Sequence, residues 1–254
     1  MRLVNKRWRV KIITISLITL PACITVETGA KPELKVPAQQ KAEARIELGI
    51  GYLRQGQLTK ARSNFEQAIE HAPNFYRAQL SLAHYYQTVG DMASAQKMFR
   101  QALTIHPNNG DVLNNYGTFL CKQGDYAQAD WLFNQAVAQE YYYSTSASYE
   151  NAALCALKSG NKNKAITYFS QALGYEPTRR RSLLNLAKLE ITQLKLSDAR
   201  LRLITFMTSH GTTAETLALM IELEIKAGNE NLAEKYQHQL TNLDEQPAKS
   251  IEIL

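Results

Sequence analysis

The sequence has little of what an enzyme needs. It contains no glycine-rich phosphate loop and no nucleophile elbow. Its five histidines, His71, His84, His106, His210 and His238, are scattered, and none stands at metal-ligand spacing from a second histidine, cysteine or carboxylate. Glu43, Glu47, Glu150 and Glu190 read as single acids on solvated helix faces. No catalytic activity, cofactor or metal is therefore expected. A genuine excess of positive charge is lacking as well. The formal net charge is +6, but five of the 29 basic residues (Arg2, Lys6, Arg7, Arg9 and Lys11) lie within the first 22 positions, where there is no acid. The remaining 24 basic residues face 23 acidic ones, a balance that argues against nucleic acid as a partner. Glycine and proline are few, 12 and 7, and they recur at regular places, which points to repeats. With 45% of residues apolar, the chain can bury a core.

No long apolar run is present either. The most apolar stretch, IITISLITLPA, has 11 residues, too short for a helix that spans a membrane and needs about 20. Behind the basic MRLVNKRWRVK it reads as an export signal over residues 1–22. Its end, Leu20-Pro21-Ala22-Cys23, resembles the bacterial lipobox, with Pro21 a departure from the usual small or hydroxyl residue. The resemblance implies cleavage before Cys23 and covalent diacylglycerol and N-acyl lipid on it. An ordinary signal peptide with a chance cysteine is the alternative. Ile24, where an aspartate would retain the protein at the inner membrane, favours the lipoprotein sorting machinery delivering the chain to outer-membrane lipid, on the periplasmic face. Three acyl chains exceed what stable anchoring requires. Residues 23–41, with Pro32 and Pro37, read as a flexible tether.

From residue 42 the chain repeats every 34 residues. Leu48-Gly49, Tyr52, Gly56, Ala61, Phe65, Ala68 and Pro73 recur as Leu82-Ala83, Tyr86, Gly90, Ala95, Phe99, Ala102 and Pro107. They recur again as Tyr116-Gly117, Leu120, Gly124, Ala129, Phe133 and Ala136. A two-residue insertion at Tyr141-Tyr142-Tyr143 shifts the frame before Ala152-Ala153, Ala156, Gly160, Ala165, Phe169, Ala172 and Pro177. Two weaker units follow. Each unit carries two amphipathic stretches; Gly56, Gly90, Gly124, Gly160 and Gly228 suit the turn between them in five units, Pro73, Pro107 and Pro177 end the second stretch in three, and the fifth and sixth units lack the glycine or proline signals in places. The pattern resembles the tetratricopeptide repeat. It implies an all-α, right-handed superhelical solenoid of about six helix–turn–helix units: 42–75, 76–109, 110–145, 146–179, 180–213 and 214–247, with a tail at 248–254. Such units cannot bury their apolar faces singly and must stack.

Four details bear on architecture and binding. Apart from Cys23 the cysteines are Cys121 and Cys155, an even remainder on first helices of successive units. In an oxidising compartment this points to a disulfide, with two buried thiols as the alternative. The three adjacent tyrosines cannot all face one core. Arg179-Arg180-Arg181 sits at a junction, either as a solvated loop or as a contact for an anionic partner. The inward face of the first helices is expected to form an apolar groove from Ile46, Ile50, Leu53 and Leu80, with His84 beside them, unless residues 24–40 fold back over it. Leu48 and Tyr52 are expected to pack on the unit's own second helix.

With its lipobox, short tether and about six repeats, the chain resembles a narrower family, the type IV pilus biogenesis and stability lipoproteins PilF and PilW. LNNYGTFLCKQGDYAQA (Leu113 to Ala129) and YENAALCALKSGNKNKA (Tyr149 to Ala165) carry the likeness. It implies a pilotin that binds the secretin subunit of the type IV pilus machinery and promotes its outer-membrane localisation and multimerisation. The alternative is a tetratricopeptide lipoprotein adaptor that recruits peptidoglycan enzymes or outer-membrane assembly factors.

Overall fold

The computed structural model describes residues 37–244. The export signal, Cys23 and the 248–254 tail lie outside them, as does the tether up to residue 36. Twelve helices fill the described residues, pairing as α1 (Ala38–Arg54) with α2 (Leu58–His71), α3 (Tyr76–Thr88) with α4 (Met92–Ile105), and α5 (Gly110–Gln123) with α6 (Tyr126–Val137). The other pairs are α7 (Thr145–Lys158) with α8 (Lys162–Tyr175), α9 (Arg180–Thr192) with α10 (Leu196–His210), and α11 (Ala214–Lys226) with α12 (Glu230–Asp244). The first helix starts at Ala38, so the last residues assigned to the tether are helical.

Local chemistry explains the boundaries. Asp91, Asn109, Asp125 and Asn161 each accept the backbone N–H of the residue three positions on, satisfying a donor the helix start leaves free. Pro73, Pro107 and Pro177 stand two residues past the ends of α2, α4 and α8, each next to the C-cap residue.

Within every pair the turn is closed by one repeated bond. The N–H of Gln57, Asp91, Asp125, Asn161, Lys195 and Asn229 reaches back five residues to the carbonyl of Tyr52, Tyr86, Leu120, Ala156, Glu190 and Glu224, at 2.8–3.0 Å. This closure forces the residue before each donor into the left-handed region. Gly56, Gly90, Gly124, Gly160 and Gly228 take it with φ of 71–88°, but in the fifth unit the residue is Leu194, at φ 59°. A side chain there costs about 1–2 kcal/mol, partly offset by the greater chain entropy that glycine loses on folding. Leu194 is exposed and loses little packing on truncation. Leu194→Gly is therefore expected to raise stability by about 1 kcal/mol, seen as a higher urea midpoint. An unchanged or lower midpoint would contradict the strain argument.

The core runs the length of the solenoid. Phe65, Phe99, Phe133 and Phe169 are buried at one register position, which the fully buried Leu203 fills in the fifth unit. The alanines four residues before it, at 61, 95, 129, 165 and 199, are fully buried and allow the paired helices to close up. The approach is tightest in the first and third units. A Cβ on Gly49 would lie 2.5 Å from the Phe65 ring, and one on Gly117 would lie 3.0 Å from Phe133.

At the insertion the three tyrosines divide. Tyr142 is half-buried, seated against Gly110 where a Cβ would collide with its ring, and its hydroxyl is 2.9 Å from Ser148 Oγ. Tyr141 and Tyr143 are 82% and 97% exposed.

Candidate functional site

The face built by the first helices α1, α3 and α5 carries a cleft of about 280 Å³. Ile50 and Leu80 form its apolar floor, with Phe65 beneath. Around them stand Tyr76, Arg77, Ser81, His84 and Asp111. The rim is ordered by its own bonds: the Tyr76 hydroxyl donates to Asp111 Oδ2 at 3.2 Å, and Arg77 pairs with Glu43 of α1. Burial, reinforced by the Asp111 charge, pushes the Tyr76 phenol up, so it stays a donor. Burial and then the Lys122 charge push the His84 imidazole down, leaving a neutral ring at the cleft mouth near pH 7. An apolar floor with a polar, near-neutral rim suits an apolar side chain flanked by hydrogen-bonding groups.

Ile50, Leu80 and His84 thus meet in one cleft, but the groove expected from the sequence needs three corrections. Ile46 is not a groove residue. It is 2% exposed, enclosed by Ala42, Ala68, Ala72 and Ala78, because α3 docks over that side of α1. Leu53 does not line the cleft; it is half-buried against the cluster of Ala61, Phe65, Leu82 and Tyr85. Leu48 is not a packing residue but 49% exposed. Its register equivalent Leu82 is buried in the cluster that holds Phe65 of the preceding unit. Among the described residues the first unit has no predecessor, so Leu48 is left on the end face.

Cys121 of α5 and Cys155 of α7 are joined by a disulfide, with Cα atoms 5.8 Å apart, clamping the third unit to the fourth. Closing a loop of 34 residues stabilises by about 3–4 kcal/mol in the chain-entropy model. Reduction is expected to lower the stability by that free energy, seen as a lower urea midpoint, while the far-ultraviolet circular dichroism stays helical. A reduced protein with an unchanged midpoint would refute the clamp.

Sequence reasoning missed a set of buried acids. Glu150 and Glu190, read above as solvated, are buried, and so is Glu224. Glu150 accepts from Ser182 Oγ at 2.8 Å and lies 3.0 Å from the Arg179 guanidinium. The first arginine of the 179–181 run is thus an internal ion-pair partner, and the second lies over the Phe206 ring at 5.2 Å. Glu190 lies 3.5 Å from Arg202, and Glu224 accepts two bonds from Arg200, each 2.7 Å. A signal was available. Glu190 and Glu224 are 34 residues apart, at the register position that Tyr52, Tyr86, Leu120 and Ala156 fill in the other units.

Residues 42–75, 76–109, 98–130 and 120–180 match models of the tetratricopeptide repeat. Among solved structures, PilF of Pseudomonas aeruginosa is 30% identical, with 81% of this chain and 93% of that chain covered and a TM-score of 0.70. The chain belongs to the PilF/PilW family of type IV pilus biogenesis proteins. PilW, a widely conserved type IV pilus biogenesis factor, is 27% identical over 82% of this chain and 96% of its own, with a TM-score of 0.68. The fold alone is shared with the Cut9–Hcn1 tetramer of the APC/C, at 17% identity and a TM-score of 0.59. An uncharacterised protein of Haemophilus influenzae is 42% identical over 48 residues, and the match spans 27% of that relative and 19% of this chain. Relationship to PilF and PilW places the repeat scaffold in pilus biogenesis. Among the described residues there is no cluster of three side chains able to hold a metal ion.

Proposed function

We propose that this chain is a pilotin, acylated at Cys23, held on the periplasmic face of the outer membrane, and binding secretin subunits to promote their delivery and multimerisation. The observation that carries the reading is the nearly full-length likeness to PilF and PilW, joined to a preformed apolar-floored cleft on the first two units. The division of labour is physical. The lipid supplies the address, and three acyl chains hold it without any protein contact. The solenoid supplies the grip. The floor of Ile50 and Leu80 shelters an apolar segment of an unassembled subunit, and the rim of Tyr76, Ser81 and His84 offers hydrogen bonds to the backbone around it. A grip of one or two side chains is weak enough for subunit–subunit pairing to displace it.

Deleting the gene is expected to abolish the secretin multimer and leave monomers away from the outer membrane; an intact multimer in the deletion strain would refute the reading. The address is separately testable. Cys23→Ser is expected to remove the acyl mass, shift the protein out of the outer-membrane fraction and misplace the secretin with it. Unaltered fractionation of that variant, with no acyl mass on the wild type, overturns the anchor and leaves the grip standing.

A further inference from the structure

On the opposite face, between the second helices α2 and α4, runs a larger groove of about 940 Å³. Its floor is apolar, made by Ile69, Leu82 and Met98. Its walls have opposite sign: Glu66 and Glu70 on α2, Lys97 and Arg100 on α4. Among the described residues no ion pair joins the two walls, and Glu66 pairs instead with Arg62 of its own helix at 2.8 Å. Two units further on the corresponding gap is bridged. There Lys164 Nζ of α8 reaches Asp130 of α6 at 2.6 Å, the Tyr168 hydroxyl donates to the same carboxylate at 2.9 Å, and Asn134 reaches Tyr168 at 2.8 Å. Tyr168 is the register equivalent of Met98. What the later gap fills with its own side chains, the first leaves open.

A second irregularity lies in the same floor. Gln79 stands at the register position filled by Arg45 and Tyr149 in two units and by the fully buried Leu113, Leu183 and Leu217 in three others. It is itself 5% exposed, its amide donates to the Pro73 carbonyl at 2.9 Å, and its Oε1 has no hydrogen-bond partner. Beside the groove, an amide with an unmet acceptor is a poor choice for a solenoid core.

We propose that this groove is a second docking site, taking an amphipathic helix of a partner protein with an apolar stripe, basic residues along one flank and acidic residues along the other. The wall charges fix the flanks: basic toward Glu66 and Glu70, acidic toward Lys97 and Arg100. The occupant is a helix and not an extended strand because α2 and α4 spend their backbone groups on their own hydrogen bonds and offer no edge to pair with. This site is independent of the secretin reading and lies on the face away from the Leu80 cleft.

The probes are three synthetic helices of about four turns with one leucine stripe. One has lysines on one flank and glutamates on the other, one has lysines on both flanks, and one has glutamates on both. Binding to the full chain is followed by fluorescence anisotropy at physiological salt. The mixed-flank helix is expected to bind about tenfold tighter than either single-sign helix. Lys97→Glu with Arg100→Glu, both exposed positions, makes both walls acidic and is expected to transfer the preference to the lysine helix. Leu80→Asp, in the other cleft, should leave the order unchanged. The proposal is overturned if no probe binds saturably, if reversing the wall leaves the order as it was, or if Leu80→Asp alters it.

Discussion

Arg200→Ala is expected to destabilise the last unit by about 3–5 kcal/mol, the largest single-residue effect anticipated for an ion pair in this chain. Glu224 is 1% exposed and holds both of its oxygens at 2.7 Å from the Arg200 guanidinium, with Asn229 Nδ2 also 2.7 Å from Oε2. Removing the arginine leaves a buried carboxylate with one amide for company, and the protein must then ionise it at a cost or protonate it. The pair joins α10 to α11, so it fastens the sixth unit to the fifth. A repeat array behaves as a chain of nearest neighbours, and among the described residues the sixth unit has only one, the fifth. The loss should therefore appear first as local opening, in faster amide exchange across α11 and α12, before any global transition. Replacing both partners by leucine should cost much less, since no charge is left buried. A shift below about 1 kcal/mol for Arg200→Ala would show that water reaches Glu224 in the folded state.

The same pair sets an acid limit. The hydrogen bond from Arg200, foremost, and that from Asn229 hold the Glu224 carboxyl below its ordinary 4.5. A depressed folded value means stability fully present above 4.5 and lost as pH falls through the lower folded value. Glu190 works the other way. Burial, larger than the help from Arg202, raises its carboxyl above 4.5, so its contribution is lost as pH rises through the raised value. Acid loosening of the far end is thus governed by Glu224 and not by Glu190.

These groups show where sequence reading stops. The period of 34 and the positions of turn glycine, core phenylalanine and closing proline are legible because each is imposed by a local requirement: a left-handed turn, a gap to fill, a chain to stop. The turn survives even where its signal fails, since Leu194 adopts the glycine conformation once the Lys195 N–H has bonded to Glu190. Faces are harder. Ile46 and Leu48 are two residues apart on one helix, and which of them is buried depends on α3 docking over α1, a relation between units. A buried glutamate is harder still, because its partner lies 12 residues away for Glu190 and 24 for Glu224, outside any helical periodicity.

That correction redirects the decisive test of the secretin grip. Leu80→Asp is expected to abolish secretin multimerisation while circular dichroism and the melting temperature stay close to wild type. Leu80 is half-buried on the floor of the cleft, with one side against the core and the other open to Ile50 and His84, so a carboxylate there can still find water. Burying a leucine in a partner contributes about 1.5–3 kcal/mol, and a charge both removes that and adds a desolvation cost, so binding should weaken tenfold or more. Ile46→Asp is the contrasting variant. With Ile46 enclosed by four alanines, a buried charge there should unfold the first unit and lose assembly only as a consequence. The two outcomes separate grip from scaffold: Leu80→Asp loses the multimer and keeps the fold, and Ile46→Asp loses both. Normal multimers on Leu80→Asp would remove the cleft from the mechanism and leave the pilotin reading in need of another surface.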